Sequence, residues 1–290
     1  MHRLGAKAAY RLLLTGTVIT NKAIDVFSQY KFLNPAIFGN SFYTFRNRYF
    51  DMAGYGQHMP VLKHMIEQEL MRRLHSIAYR ATKAECLDLP ETTDIVRYVE
   101  LEPSAVKVYK DLVRDSYAEL GQAEVTVTNI LTRLLRLSQL TGGFVGGDDG
   151  GAPVRVSTAK IAALEDIIEG VLQEGRKLVV IARFVPEIKA ICGLLEKRGV
   201  GYSCITGGVT DREDQVSAFQ NNPAVKVFVG QIATAGLGLT LTAADTLVFY
   251  STDYSMSNHD QTRARIHRVG QKNRHGRDDG RGTGRPGHGL

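Results

Sequence analysis

Two arginines near the carboxyl end have the spacing and the chemistry to hold an anion. They lie in the string Gln261-Thr-Arg-Ala-Arg-Ile-His-Arg-Val-Gly-Gln271. On a helix, Gln261, Arg265 and Arg268 fall at i, i+4 and i+7 and share one face. Two guanidiniums one turn apart repel each other unless an anion lies between them. A phosphate meets that need, because arginine offers a planar fork of donors that stays charged. Gly270 then lets the chain leave the helix. On these residues alone, a solvated charged face explains the string equally well.

A second segment points the same way. Gln231-Ile-Ala-Thr-Ala-Gly-Leu-Gly-Leu-Thr-Leu-Thr-Ala-Ala-Asp245 follows an apolar run. Gly236 and Gly238 allow a backbone to approach a ligand closely. Thr240 and Thr242 can offer hydroxyls to phosphate oxygens. Asp245 begins the next apolar run, at a sheet edge where a ligand could sit. A Gly-x-Gly taken alone is explained as well by a packing turn.

The elements that must position these residues alternate. Thr158–Gln173 reads as a helix, 177–182 as a continuous apolar strand and 186–198 as a helix. Then follow a strand at 202–205, a helix at 211–220, and strands at 225–229 and 246–250, with a polar helix over 258–268. Strands alternating with helices predict a parallel sheet covered on both faces, with ligands at the carboxyl ends of its strands. The region before it differs. Residues 11–15 read as a buried strand ending at Gly16, and 22–32 as a helix stopped by Asn34-Pro35. From about 38 to 144 the spacing is mostly helical, with one strand near 95–101. Six glycines and two aspartates over 142–151 read as a loop or linker. The expected division is therefore 1–35, the end of one lobe; 36–145, a mainly helical insertion; 152–272, an α/β lobe; and 273–290, a disordered Gly/Arg tail.

Thr234 to Ser251 followed by Gln261 to Gln271 closely resembles the fifth and sixth motifs of Swi/Snf-type ATPases of helicase superfamily two. Leu14-Thr-Gly-Thr-Val-Ile-Thr-Asn21 looks like the third motif, and Tyr79-Arg-Ala-Thr-Lys83 with Leu87-Asp-Leu-Pro-Glu91 resembles the Arg–Lys linker between lobes. Leu178 to Phe184 sits where the fourth motif sits. The resemblance spans roughly residues 4–272 and implies RecA-like lobes that clamp ATP and track along DNA. It makes Arg265 and Arg268 the arginine fingers, catalytic in charge stabilisation at the γ-phosphate. It assigns Gln261, Gly236, Gly238 and Asp245 to ATP binding, and Thr15, Gly16 and Thr17 to coupling between the nucleotide and DNA sites. It assigns Thr240, Thr242 and Arg183 to DNA contact. The sequence departs from the family pattern at Val18, where proline is common, and at Ala233, where many members carry arginine. No Gly-x-x-x-x-Gly-Lys-Ser/Thr run and no Asp-Glu box occurs. ATP and Mg are therefore expected to be held mainly by a first lobe outside this sequence, present in cis or in trans. The resulting expectation is the C-terminal part of an ATP-dependent DNA translocase, silent in hydrolysis by itself, with DNA gripped by its backbone and little sequence preference. The alternative is a non-catalytic DNA- or partner-binding module.

Composition limits the other classes. Net charge is +6, of which Lys272–Leu290 supplies +3, five Lys/Arg against two Asp. A polyanion partner is compatible with that but not demanded by it. Cys86, Cys192 and Cys204 show no paired spacing, so they read as reduced buried thiols rather than zinc ligands or a disulfide framework. No apolar run reaches the ~18–20 residues of a membrane helix, and no secretory leader is evident, so an intracellular location is expected. No dinucleotide fingerprint or metal cluster supports a redox or metal-hydrolase reading.

Overall fold

The computed structural model describes residues 5, 7–16, 18–19, 22–120, 127–146, 151–235, 238–268 and 275–279. The chain divides into one unit of residues 1–87 with 255–257, and a second of 88–254 with 258–290.

The first unit is built from aromatic residues at helical spacing. Helices α1 (Val26–Leu33) and α2 (Phe42–Tyr49) precede a hairpin of β1 (Phe50–Ala53) and β2 (Met59–Leu62), then α3 (Glu67–His75) and the short α4 (Lys83–Cys86). Phe27, Tyr30, Phe38, Phe45, Tyr49 and Phe50 pack with Leu70 and Leu74 into one core. Phe45 meets Phe27, Phe38 and Tyr49 at ring separations of 5.1, 5.2 and 5.1 Å, the range in which aromatic pairs attract. Ser41 caps α2 by accepting from the Thr44 N–H. Two expectations change here. The hairpin replaces part of a helical reading, and Pro60 is tolerated because both strands of a two-stranded hairpin are edges. Residues 11–15 form no strand: Leu12 and Leu14 are exposed, and no described segment pairs with them. An apolar run becomes a strand only where a neighbour supplies hydrogen bonds.

The second unit begins with β3 (Thr92–Val96), followed by the helical hairpin α5 (Pro103–Leu120) and α6 (Val127–Thr141) and the small pair β4 (Phe144–Val145) and β5 (Val154–Arg155). Then come α7 (Ala159–Gln173), β6 (Leu178–Ala182), α8 (Val185–Lys197), β7 (Gly201–Ile205), α9 (Arg212–Asn221) and β8 (Val225–Gln231). Helix α10 (Ile232–Ala235), β9 (Thr246–Phe249), α11 (Met256–Ile266) and β10 (His275–Asp279) complete it. Six strands form one parallel sheet in the order β3-β10-β9-β6-β8-β7. Its interior follows from the two-residue period of a strand. Leu178, Val180 and Ala182 face one side with Ile168 and Val171 of α7 and Ile188 and Ile191 of α8. Val179 and Ile181 face the other, with Phe219 of α9, Ile232 of α10 and Ile266 of α11.

Three boundaries differ from the expected division. The second unit starts near residue 88 rather than 152, because β3 joins its sheet. Residues 142–151 are not wholly a linker, since Phe144–Val145 pairs with Val154–Arg155. Residues 275–279, expected in a disordered tail, form the strand between β9 and β3. Ladder bonds use backbone groups, so a segment without apolar side chains can occupy that slot.

Glu102 ties the start of α5 to that of α7. Its carboxylate accepts from the Thr158 N–H at 2.8 Å, the Thr158 hydroxyl at 2.9 Å and the Ser157 hydroxyl at 2.5 Å. The carboxylate thus satisfies donors at a helix N-terminus from 56 residues away. Among the described residues, no helix is long and apolar enough to cross a membrane. Cys86 is exposed, and Cys192 and Cys204 are half-buried, rather than buried as expected. Cys86 ends the short surface helix α4.

Candidate functional site

The glycine-bearing segment and the arginine string meet. The backbone N–H of Leu241 donates to the carbonyl of Arg265 at 2.9 Å, and the Arg268 guanidinium donates to the Thr240 hydroxyl at 3.0 Å. Leu241 itself is buried in the sheet core, which anchors the turn. Gly238 takes φ +72, the left-handed region that favours glycine, with open space where a Cβ would lie. Gln261 and Arg265 stand one turn apart on α11, but the helix ends at Ile266. Arg268 therefore lies past the helix end rather than on its face. The expected helix over 258–268 is corrected there, and the pair is assembled by the contact with Thr240.

Burial, and then the charge of neighbouring Arg268, push the Arg265 guanidinium below its ordinary value. Arg265 stays charged at any working pH, so the repulsion persists and an anion beside the pair would relieve it. The location is also decided. Gln220 lies in the last turn of α9, just before β8 begins, and its side chain reaches Thr240 and Thr242. Lys177, just before β6, donates to the carbonyls of Phe219 and Asn222. The arginine cluster thus lies toward the amino ends of the strands, not the carboxyl ends as expected. The connection out of β8 runs back along the sheet face before β9 starts.

Asp245, two residues beyond Ala243, binds Arg176. Its side chain is 5% exposed and pairs with Arg176 at 2.8 Å, while the Thr246 hydroxyl donates to it at 2.9 Å. It lies just ahead of β9, and Arg176 lies just ahead of β6, so the pair fastens two strand beginnings together. The Asp245 carboxylate is thus engaged in an ion pair within the lobe.

Arg183 lies at the opposite, carboxyl edge of β6. Its guanidinium stacks over the rings of Phe184 at 5.0 Å and Tyr254 at 5.3 Å. Its N–H donates to the Ser251 hydroxyl at 2.7 Å, and its carbonyl accepts from Gln231, whose amide oxygen accepts from the Gly207 N–H. Beneath it, buried Glu187 accepts from the Phe184 N–H and from the Ser251 hydroxyl. Burial pushes the Glu187 carboxyl up and the Lys160 ammonium down. Lys160 donates to the Tyr250 carbonyl at 2.8 Å. Thr15 and Gly16 belong to the first unit and are exposed there. Thr17 and Gly236 lie outside the described residues, as does Gly270. Sequence reasoning missed Gln220, Arg176 and Glu102, whose partners stand 20 to 69 residues away.

With this geometry in place, similarity to known proteins becomes informative. The SNF2-related domain matches residues 4–142, and the helicase conserved C-terminal domain matches 159–270. The chain belongs to the Swi/Snf-type helicase-like ATPases. Within that family it is 26% identical over 286 residues to the DNA repair and recombination protein RDH54 of Saccharomyces cerevisiae (strain ATCC 204508 / S288c), covering 90% of this chain and 30% of that protein. It is 27% identical over 274 residues to the Chromodomain-helicase-DNA-binding protein 1-like of Mus musculus, covering 91% and 30%. The chain spans about a third of the length of these curated relatives. Among solved structures, the Sulfolobus solfataricus SWI2/SNF2 ATPase core in complex with dsDNA is 30% identical with a TM-score of 0.57, covering 93% of this chain and 57% of that one. The C-terminal part of the Fun30 ATPase domain, at 13% identity and a TM-score of 0.55, covers 66% and 85% and shares the fold. The Swi/Snf match to 4–142 continues past the structural boundary at 87, so sequence family and packing divide the chain differently.

Proposed function

We propose that this chain supplies the second motor lobe of an ATP-driven translocase on duplex DNA, with Arg265 and Arg268 as its arginine fingers. The observation that carries the reading is the contact of Arg268 with Thr240, beside the bond from the Leu241 N–H to the Arg265 carbonyl. It brings two like charges to one glycine-bearing turn. The donor set fits one edge of a nucleotide: guanidiniums for a developing γ-phosphate charge, and a hydroxyl beside them. It does not fit the whole nucleotide, because the sequence holds no phosphate loop to cradle the remaining phosphates. Bound ATP and Mg would supply the phosphoryl group and its charge neutralisation. Arg265 and Arg268 would stabilise charge at its outer oxygens, and Gln261 would help orient them. Thr15, Gly16 and Thr17 would couple nucleotide and DNA. Gly236, Gly238, Thr240, Thr242 and Arg183 would line the cleft and the DNA backbone.

The duplex in the Sulfolobus complex supports DNA as the polymer, and its phosphates are the natural partner for sequence-independent grip. The test mixes the full chain with a separately expressed first lobe that carries a phosphate loop and an Asp-Glu box. DNA-stimulated hydrolysis is expected from the mixture, none from the chain alone, and none from a mixture containing Arg268→Ala. Hydrolysis by the chain alone, or undiminished hydrolysis with Arg268→Ala, would overturn the reading. No restoration in any mixture would favour the non-catalytic module. Cell-location tests follow separately: the family's work on DNA predicts a nucleoid or nuclear pool.

A further inference from the structure

Gln220 holds the turn on which the arginine pair depends. Its amide nitrogen donates to the Thr240 carbonyl at 2.9 Å and to the Thr242 hydroxyl at 3.3 Å, and its amide oxygen accepts from the Ala243 N–H at 2.8 Å. One side chain thereby satisfies backbone groups at two positions of a loop that makes no strand ladder of its own. The same loop hands its Thr240 hydroxyl to Arg268 and its Leu241 N–H to the Arg265 carbonyl. The helix carrying Gln220 is fixed independently: Phe219 is fully buried and packs against Phe228 with tilted rings 5.5 Å apart, and Lys177 caps the carbonyls of Phe219 and Asn222. The chain of contacts therefore runs from a rigid helix end, through one amide, to the turn, and from the turn to both arginines.

We infer that Gln220 is a positioning residue for the Arg265–Arg268 anion site. It acts by pinning the Thr240–Ala243 turn rather than by touching the nucleotide. The inference rests on the reading of that arginine pair as phosphate-facing. Glutamine suits the task because one amide is both donor and acceptor; a side chain of equal length without polar atoms fills the space but leaves the turn free. A loose turn leaves Arg268 searching over more conformations, so anion affinity falls even though every contacting group remains.

The experiment uses the full chain labelled at arginine Nε, with inorganic pyrophosphate as the probe and nuclear magnetic resonance as the readout. In the wild type, pyrophosphate is expected to shift the Arg265 and Arg268 Nε–H signals. Gln220→Ala and Gln220→Met are expected to weaken that binding about tenfold, the loss expected for one to two net hydrogen bonds' worth of ordering. Far-UV circular dichroism should stay unchanged, and the Ala243 amide should exchange with solvent faster. Met separates packing from hydrogen bonding, since it keeps the volume. Thr242→Val removes only the longest bond and provides a milder variant should the others fail to fold, with a weakening of about twofold expected. Wild-type affinity in Gln220→Met, alongside lost binding in Arg268→Ala, would sink the positioning role and leave the arginine reading standing. Wild-type affinity in both Arg265→Ala and Arg268→Ala, or no response of the wild type to pyrophosphate, would sink the arginine reading and this inference with it.

Discussion

Arg176 and Asp245 offer a sharp test, because the family resemblance assigns Asp245 to ATP binding while packing pairs it with Arg176. Asp245 is 5% exposed and Arg176 32%, with the guanidinium 2.8 Å from the carboxylate. The two partners are not equivalent. Arg176 also bonds the Glu174 carboxylate and the Thr246 hydroxyl, and it reaches solvent. Arg176→Ala strands a buried carboxylate, a change that costs about 3–5 kcal/mol when a buried pair is broken. The Thr246 hydroxyl still donates to Asp245, so the lower end, about 3 kcal/mol, is expected. Asp245→Asn keeps the shape and leaves Arg176 with its other partners, for a cost of about 1 kcal/mol. With a urea dependence of about 2 kcal/mol/M, the midpoints fall by about 1.5 M and about 0.5 M. Urea titration followed by far-UV circular dichroism measures both. Neither variant should change pyrophosphate affinity by more than about twofold, since Gln220 holds the Thr240–Ala243 turn by bonds that do not involve the pair. An Asp245→Asn midpoint as low as that of Arg176→Ala, or a tenfold loss of pyrophosphate affinity in Asp245→Asn, refutes the structural assignment.

Other perturbations follow from the same geometry. Burial acts to raise the Glu102 carboxyl, but hydrogen bonds from Ser157 and Thr158 outweigh it and hold it down to about 2. Its folded value lies below its free value, so its stabilisation is present above about pH 4.5 and is lost as pH falls toward 2. Solvent screening limits Glu102→Gln to about 1 kcal/mol at pH 7, and urea midpoints of variant and wild type should converge near pH 2. Gly142→Ala drives a Cβ into the buried Glu187 carboxylate, so about 2–4 kcal/mol of destabilisation is expected by denaturant titration. Phe45→Ala empties the centre of the first unit's aromatic core, at a cost of about 3–5 kcal/mol read by protease susceptibility of residues 22–75. DNA affinity of the reconstituted motor should fall steeply and linearly in log salt, and equally for unrelated sequences.

The α/β alternation after residue 157 was legible almost to the residue, and the reason is physical. Strands buried on both faces, such as 178–182 and 246–249, must be continuous apolar runs, and glycines or polar turns must separate them. The arginine string and the glycine segment were legible as chemistry, and the structure joins them at Thr240. What was not legible depends on partners far along the chain. Leu12 and Leu14 look like strand residues until the lack of a described pairing neighbour is seen. His275–Asp279 looks unstructured because its pairing uses backbone groups, which no side-chain pattern reports. Asp245 looks like a ligand because Arg176 is 69 residues away. Gln220 carries no motif, and only the fold reveals what its amide grips.

Strand β3 has a practical corollary for modularity. It belongs to the sheet of the second unit although the α5–α6 hairpin and the β4–β5 pair intervene before α7, and Glu102, just beyond β3, reaches Thr158 across 56 positions of chain. Recombination between relatives, or a protein trimmed to its helicase C-terminal match, would sever an outer strand and the acid that seals α7 if the cut fell near 152. A junction near 87 keeps both. Exchange of whole lobes among relatives should therefore tolerate seams near residue 87, and reject seams in the glycine-rich stretch that looks like the natural place to cut.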